Sequence, residues 1–342
     1  MHFLITGHTG FKGSWLTLML TRLGHQVSGI SLPPEKISMF NLLDIEKILN
    51  KNLYFDIRDR SKLEKTLNES SPDVVIHLAA QSLVISGYEN PVDTFETNVN
   101  GTLNVLTAVA KQKSIKAQLI VTTDKVYKND NRLNGYKETD PLGSSDPYST
   151  SKAMADLLTQ SWIASEHAIP TAILRAGNVL GGGDFSENRL IPDFIRSIEY
   201  ESKIVVRYPT AVRPWQHVID CLDGYLTVLW DLLENKNSDV WNIGPENKST
   251  LTVSQILDFA EKSFELKGKP NREVSSQEGR LNEKDVLILE TEKISKELGW
   301  RNRLEMEQTL AFTMDWYKNY LSKSDLNKIT YKQIEEYYEI NE

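Results

Sequence analysis

Apolar residues in the first half of the chain fall into short runs separated by longer amphipathic stretches. Residues 2–6 (His-Phe-Leu-Ile-Thr) form the first run. Residues 14–23 carry Trp15, Leu16, Met19, Leu20 and Leu23, a spacing that gives a helix one buried stripe. Residues 26–31 and 53–55 read as short strands, and 73–78 (Asp-Val-Val-Ile-His-Leu) as a β-branched strand buried on both faces. Pro91 opens a helix predicted to run through Lys111. Residues 118–122 follow as a buried strand, 148–166 as a helix and 171–175 as a strand. Apolar strands without alternation, separated by helices, predict a parallel sheet covered on both faces.

The fold class expected is therefore α/β, a Rossmann-like doubly wound parallel sheet with a smaller C-terminal substrate-binding lobe. Beyond residue 176 the pattern loosens. Gly181-Gly182-Gly183-Asp184 predicts a loop, 204–206 a short strand, and 254–264 and 305–320 helices. The charged stretch 267–284 reads as an exposed loop. This half is expected to cover the carboxyl edge of the sheet, where doubly wound folds bind ligands.

Composition narrows the possibilities. The 342 residues hold 39 Lys and Arg against 47 Asp and Glu, a net charge of −8, which argues against nucleic acid as a main partner. A single cysteine, Cys221, excludes an intrachain disulfide framework and fits a reducing compartment. No apolar run approaches the roughly 18 residues of a spanning helix, so no membrane association is expected. The chain enters a strand pattern at once, so no signal peptide is expected either, and the expected location is cytoplasmic. No cluster of His and Cys suggests a metal.

Two motifs carry chemistry. Gly7-His8-Thr9-Gly10-Phe11-Lys12-Gly13 has the spacing Gly-x-x-Gly-x-x-Gly between a strand and a helix. Such glycines let the backbone turn tightly and approach a pyrophosphate at a helix N-terminus. The acidic residue that would hold a ribose at the end of the second strand is absent: Ser31 stands there, and NAD against NADP stays open at that position. Asp56-Ile57, after the third strand, fits either an adenine edge or a helix cap before Arg58-Asp59. The second motif joins Thr123-Asp124-Lys125, at a strand end, to Tyr148 and Lys152, one helical turn apart. An ammonium beside a phenol lowers its pKa, and the phenolate can take a hydroxyl proton. Thr123 can hydrogen-bond the same hydroxyl. Asp124, if burial raises its pKa, can protonate a leaving hydroxyl, and Lys125 can take a carbon-bound proton or stabilise an enolate.

These residues carry a resemblance. Gly7 to Leu16, His77-Leu78-Ala79-Ala80-Gln81 and Thr97-Asn98-Val99 with Gly101-Thr102 resemble the extended short-chain dehydrogenase/reductases. Asp124-Lys125, Asp146-Pro147-Tyr148-Ser149, Arg175-Ala176-Gly177-Asn178-Val179, Arg189-Leu190-Ile191-Pro192-Asp193 and Arg213-Pro214-Trp215-Gln216-His217 narrow it to the CDP-glucose 4,6-dehydratase family. The resemblance implies bound NAD and a redox-neutral conversion of CDP-glucose, a nucleotide-diphosphate sugar, to its 4-keto-6-deoxy product, a precursor of deoxysugars in surface polysaccharides such as the lipopolysaccharide O-antigen. It implies catalytic roles for Thr123, Asp124, Lys125, Tyr148 and Lys152. Cofactor contacts are implied for Gly7, Thr9, Gly10, Phe11, Lys12, Gly13, Asp56, Ile57, Leu78, Ala79, Ala80 and Asn98, besides Tyr148 and Lys152. Substrate contacts are implied for Gln81, Asn178, Arg189 and Arg213, the two guanidiniums suiting a diphosphate. His217 and Trp215 pack either against the nucleotide or within the lobe, and His77 and Cys221 read as structural. The expected division is an NAD-binding domain over 1–175, with segments near 216–262 packing back on it, and a nucleotide-sugar lobe formed mainly by 176–342. A homodimer or homotetramer is expected from the same resemblance. A 4-epimerase, or a dehydratase of another nucleotide sugar, is the alternative.

Overall fold

Seven strands pair in parallel in the order Asp239–Ile243, Thr171–Ala176, Ala117–Val121, Val74–His77, His2–Thr6, Gln26–Ser31, Lys51–Tyr54. This computed structural model describes residues 1–165, 169–206, 208–245, 250–265, 272–274 and 286–340. Strand order reverses beside the His2–Thr6 strand, the switch point at which such sheets open a ligand crevice. Both faces are covered, so successive strand residues enter different cores. Phe3 and Ile5 pack with Trp15, Leu16 and Met19 of the Phe11–Arg22 helix and with the Val218–Asn235 helix. Leu4 and Val75 pack with Leu63, Leu67, Val105 and Val109 on the other side. The expected α/β doubly wound sheet is present.

The predicted elements differ from the observed ones in instructive places. The helix opened by Pro91 is Pro91–Phe95, then a π-helical turn over Glu96–Asn100, then Gly101–Ala110. Periodicity cannot show one wide turn inside a helical run. The helix over 148–166 is Pro147–Ile163, and Glu166 lies outside the described residues. The sheet's edge strand Asp239–Ile243 and the long Val218–Asn235 helix before it had no separate sequence prediction; the strand pairs with Thr171–Ala176. Within 267–284, Arg272–Val274 is a short strand beside Ile204–Val206 rather than loop, and the rest of that stretch lies outside the described residues. No helix among the described residues is long and apolar enough to cross a membrane.

The C-terminal helices lock the loop around Gly182 and Asp184, beyond the Thr171–Ala176 strand. Trp316, fully buried on the Met306–Leu321 helix, donates from Nε1 to Thr330 Oγ1 at 2.9 Å. The neighbouring Tyr317 donates its hydroxyl to the Asp184 carbonyl at 2.5 Å. Trp15 donates to the Gly182 carbonyl at 2.9 Å. Trp316→Ala should therefore cost about 3–5 kcal/mol, as large-to-small changes in a packed core do. Urea denaturation would read the loss, and a change under about 1 kcal/mol, within the ordinary range for single substitutions, would mean that this helix is not part of the core.

Candidate active site at the carboxyl edge of the sheet

A cleft of about 1160 Å³ runs along the carboxyl ends of the strands. Its floor is the first strand-to-helix turn. Gly7 has φ 78°, and a Cβ there would stand 2.7 Å from the Ala79 nitrogen. A Cβ on Gly13 would stand 2.3 Å from the Gly7 carbonyl oxygen. Only glycine lets these chains approach so closely. The helix beginning at Phe11 has no side-chain cap and no acidic residue in its first turn, so its first N–H groups offer an anion site. This cradle fits the diphosphate of a dinucleotide. Thr9 bonds Ser31 Oγ at 2.7 Å and donates to the Leu32 carbonyl at 3.1 Å, which fills the second-strand position with hydroxyls.

Gly7, Thr9, Gly10, Phe11, Lys12, Gly13, Asp56, Ile57, Leu78, Ala79 and Ala80 all line the cleft. Asp56 pairs with Arg58 at 2.6 Å, and this bond holds its carboxyl below the usual range. Lys12 Nζ donates to Tyr225 Oη at 3.0 Å, a partner 213 residues away that no spacing announces. Asn98 is placed differently: it is buried behind the cleft wall, where it accepts from Gln81 N and donates to Gln81 O and Ser151 Oγ, each at 2.9 Å.

Thr123, Asp124, Lys125, Tyr148 and Lys152 all line the same cleft. Thr123 follows the Ala117–Val121 strand and caps the one-turn helix Asp124–Val126. Asp146 caps the Pro147–Ile163 helix by accepting from Ser149 N at 2.8 Å, with Pro147 at its first position. Lys152 Nζ donates to the Val121 carbonyl at 2.9 Å, tying that helix to the strand end. Burial, with Lys12 nearby, pushes Lys152 down to about 8. Burial likewise pushes the Tyr148 phenol up to about 12, against hydrogen bonding with Thr123. The spacing of Tyr148 and Lys152 predicts a lowered phenol pKa; in the protein burial raises it, and the influences that oppose burial are Thr123 and Arg189.

Asp124 is 2% exposed. Thr123 Oγ1 donates to its Oδ1 at 2.9 Å, while Oδ2 is buried without a partner. Burial raises its pKa, opposed by Lys125, Thr123, Arg213 and Lys12. A carboxyl whose proton is held more tightly by burial is suited to act as a proton donor.

Gln81, Asn178, Arg189 and Arg213 line the same cleft, with Arg213 near enough to act on Asp124 and Arg189 on Tyr148. Gln81 is held by its own contacts, donating to Thr94 Oγ1 at 2.9 Å and accepting from Leu83 N at 2.6 Å. Arg189 pairs with Asp184 at 2.9 Å, and Arg213 is 4% exposed and donates to the Val212 carbonyl at 2.8 Å. Trp215 lines the cleft and donates to Leu251 O at 3.2 Å, whereas His217 is buried as the cap of the Val218–Asn235 helix. His77 bonds Thr6 and Thr102 inside the sheet, and Cys221 is buried. Among the described residues no group of His, Cys, Asp and Glu could hold a metal.

A doubly wound parallel sheet with Thr123, Tyr148 and Lys152 at its carboxyl edge is the architecture of a short-chain dehydrogenase/reductase. The GDP-mannose 4,6 dehydratase family model matches residues 4–313, and the chain belongs to that family, as an enzyme of the nucleotide-sugar dehydratase type. It is 38% identical to a CDP-glucose 4,6-dehydratase of Salmonella typhimurium, across 97% of this chain and 95% of that one. A dTDP-glucose 4,6-dehydratase of Bacillus anthracis, solved with NAD, is 25% identical and superposes with a TM-score of 0.80 over 95% of this chain and 98% of that one. A UDP-glucose 4-epimerase of Stenotrophomonas maltophila with bound NAD, 20% identical, shares the fold with a TM-score of 0.82 over 95% of this chain and 100% of that one.

The Asp124 environment has a measurable consequence. A carboxyl whose pKa is raised by folding costs stability once pH passes the ordinary carboxylate range, and the cost grows until the folded pKa is reached. Asp124→Asn should therefore gain stability relative to wild type as pH rises from about 4, the ordinary carboxylate value, to about 8. Thermal melting at both values checks this; a deficit equal at the two would show that Asp124 is not buried as a strained acid.

Proposed function

We propose that the protein dehydrates CDP-glucose to CDP-4-keto-6-deoxyglucose with NAD held in the Gly7–Gly13 cradle. The observation that carries the reading is the Asp124-Lys125 pair beside Thr123 and Tyr148, with an Asp124 oxygen buried and unpartnered at the cleft. A carboxyl that can deliver a proton is what elimination of a hydroxyl needs and what simple 4-epimerisation does not. The 38% identity to a CDP-glucose 4,6-dehydratase supports the choice of nucleotide and sugar.

Bound NAD supplies the acceptor for the C4 hydride and its return to C6, which leaves the reaction redox-neutral. Tyr148 takes the proton of the 4-hydroxyl, with Thr123 hydrogen-bonding the same oxygen and Lys152 holding charge below them. The 4-ketone acidifies C5–H. Lys125 takes that proton or stabilises the enolate, and Asp124 protonates the departing 6-hydroxyl. Asn178, Arg189 and Arg213 hold the diphosphate, and Gln81 faces the sugar. For cofactor binding, Asp56 and Ile57 meet the adenine end, while Asn98 acts by fixing Gln81. The division into an NAD-binding part, 1–175 with later segments, and a nucleotide-sugar lobe belongs to the same reading. So do a cytoplasmic location, a homodimeric or homotetrameric state and a role in deoxysugar supply for lipopolysaccharide O-antigen.

Incubating the protein with NAD and a panel of nucleotide sugars, then reading the alkaline absorbance of a 4-keto-6-deoxy sugar, tests this directly. CDP-glucose should give the signal most rapidly. A signal confined to another nucleotide sugar would reassign the substrate, and interconversion of 4-epimers without that signal would refute dehydration. Tyr148→Phe, which removes the positioned proton acceptor, should lower turnover roughly 10²–10⁴-fold with the melting temperature unchanged.

A further inference from the structure

Behind the site lies a buried ion pair that the chemistry above does not use. Arg175, near the end of the Thr171–Ala176 strand, forks onto Asp156 of the Pro147–Ile163 helix. Nε meets Oδ2 at 2.8 Å and Nη2 meets Oδ1 at 2.7 Å, with side chains 1% and 0% exposed. The same carboxylate accepts from Thr122 Oγ1 at 3.0 Å and from Gln160 Nε2 at 2.7 Å. The remaining arm of Arg175, Nη1, donates to Tyr127 Oη and to the Glu138 carbonyl, both at 2.9 Å. Tyr127 in turn donates to Asn242 Oδ1 at 2.6 Å.

The placement of these partners is specific. Thr122 immediately precedes Thr123-Asp124-Lys125, and Tyr127 immediately follows the Asp124–Val126 turn. Asp156 stands one helical turn beyond Lys152 and two beyond Tyr148. One guanidinium thus grips the Asp124-Lys125 turn at both ends, through Tyr127 directly and through Asp156 to Thr122. The same carboxylate fixes the helix that carries Tyr148 and Lys152. As a source of stability the arrangement is a poor choice. Desolvating two charges costs several kcal/mol each, and apolar residues of similar volume often do as well or better. What apolar packing lacks is direction: four fixed hydrogen bonds set the rotation and height of one element against the other.

We propose that Arg175 and Asp156 are a positioning pair, which holds the acid-bearing turn in register with the Tyr148–Lys152 helix. The proposal rests on the dehydratase reading for its kinetic consequence. Neither residue reaches the cleft, so neither touches substrate.

The test separates register from stability by removing the pair whole. In Arg175→Met/Asp156→Leu both charges of the pair go together, so folding should survive with a melting temperature close to wild type; Lys152 also loses the nearby Asp156 charge, which Thr122→Val leaves in place. Turnover should nevertheless fall roughly 10-fold or more while KM stays within about threefold, because small misplacements of reacting groups weigh on the chemical step. Thr122→Val, nearly isosteric, breaks the link from the strand end to Asp156 together with a long 3.5 Å bond to the Leu174 carbonyl, and should lower kcat about fivefold at unchanged KM. Crystal structures of both variants should show the Asp124 carboxyl displaced relative to the Tyr148 hydroxyl. A double variant that recovers wild-type kcat together with wild-type stability would overturn the proposal. Should the double variant fail to fold, Thr122→Val decides: wild-type kcat would overturn the proposal and the predicted loss would support it. Wild-type protein is assayed first. If it dehydrates no nucleotide sugar, the functional reading fails, and the positioning proposal then stands or falls on whether Asp124 moves in the variant structures.

Discussion

Taking Asp124, Tyr148 and Lys152 out of water penalises the charged form of each, and the cleft is arranged around that penalty. Burial is the largest influence on all three: it raises the acid and the phenol and lowers the amine. The neighbours that soften it are few and fixed. Val121 offers Lys152 a carbonyl and Asp156 a nearby negative charge, Thr123 bonds Asp124, and Arg213, Lys125 and Lys12 supply positive charge to Asp124. One oxygen of Asp124 is left without any partner. A buried polar atom left unsatisfied in a folded protein is a cost that a functional site can carry. Here it sits where the proposed chemistry needs a neutral acid.

The sheet makes this burial possible. Its strands all end at one edge, so residues from the ends of several strands converge without any one segment having to fold back. The two cores on either face hold those ends still. Alternate residues of each strand, such as Phe3 against Leu4 and Val75 against Ile76, pack into opposite layers. The C-terminal helices complete one layer and fasten Asp184, the partner of Arg189. Stability and site geometry are therefore coupled through the same strand ends, most directly at Arg175 and Asp156.

Much of this was legible in the sequence because it is local. Unalternating apolar runs such as Val74–His77 announce a parallel sheet, and the spacing of Gly7, Gly10 and Gly13 between a strand and a helix announces the cradle. Tyr148 and Lys152 share a helix face by simple periodicity. What stayed hidden depends on distant partners. The bond from Lys12 to Tyr225, the pairing of Arg175 with Asp156 and the edge strand Asp239–Ile243 join segments tens to hundreds of residues apart. The direction of the Tyr148 shift was hidden for another reason: residue types reveal a charged neighbour, whereas the depth of burial belongs to the folded chain. Asn98 illustrates the limit of motif transfer, since its side chain serves Gln81 and Ser151 instead of facing the cleft.

The central claim is that a single site oxidises C4, expels water across C5 and C6, and reduces C6 with the hydrogen removed at the start. The most direct measurement follows CDP-glucose deuterated at C4 through turnover in ordinary water and in heavy water. The account predicts that the C4 deuterium appears at C6 of the 4-keto-6-deoxy product, and that heavy water adds one deuterium at C5. Label returned to C4 of an epimerised sugar, or lost to solvent with none at C6, would contradict it.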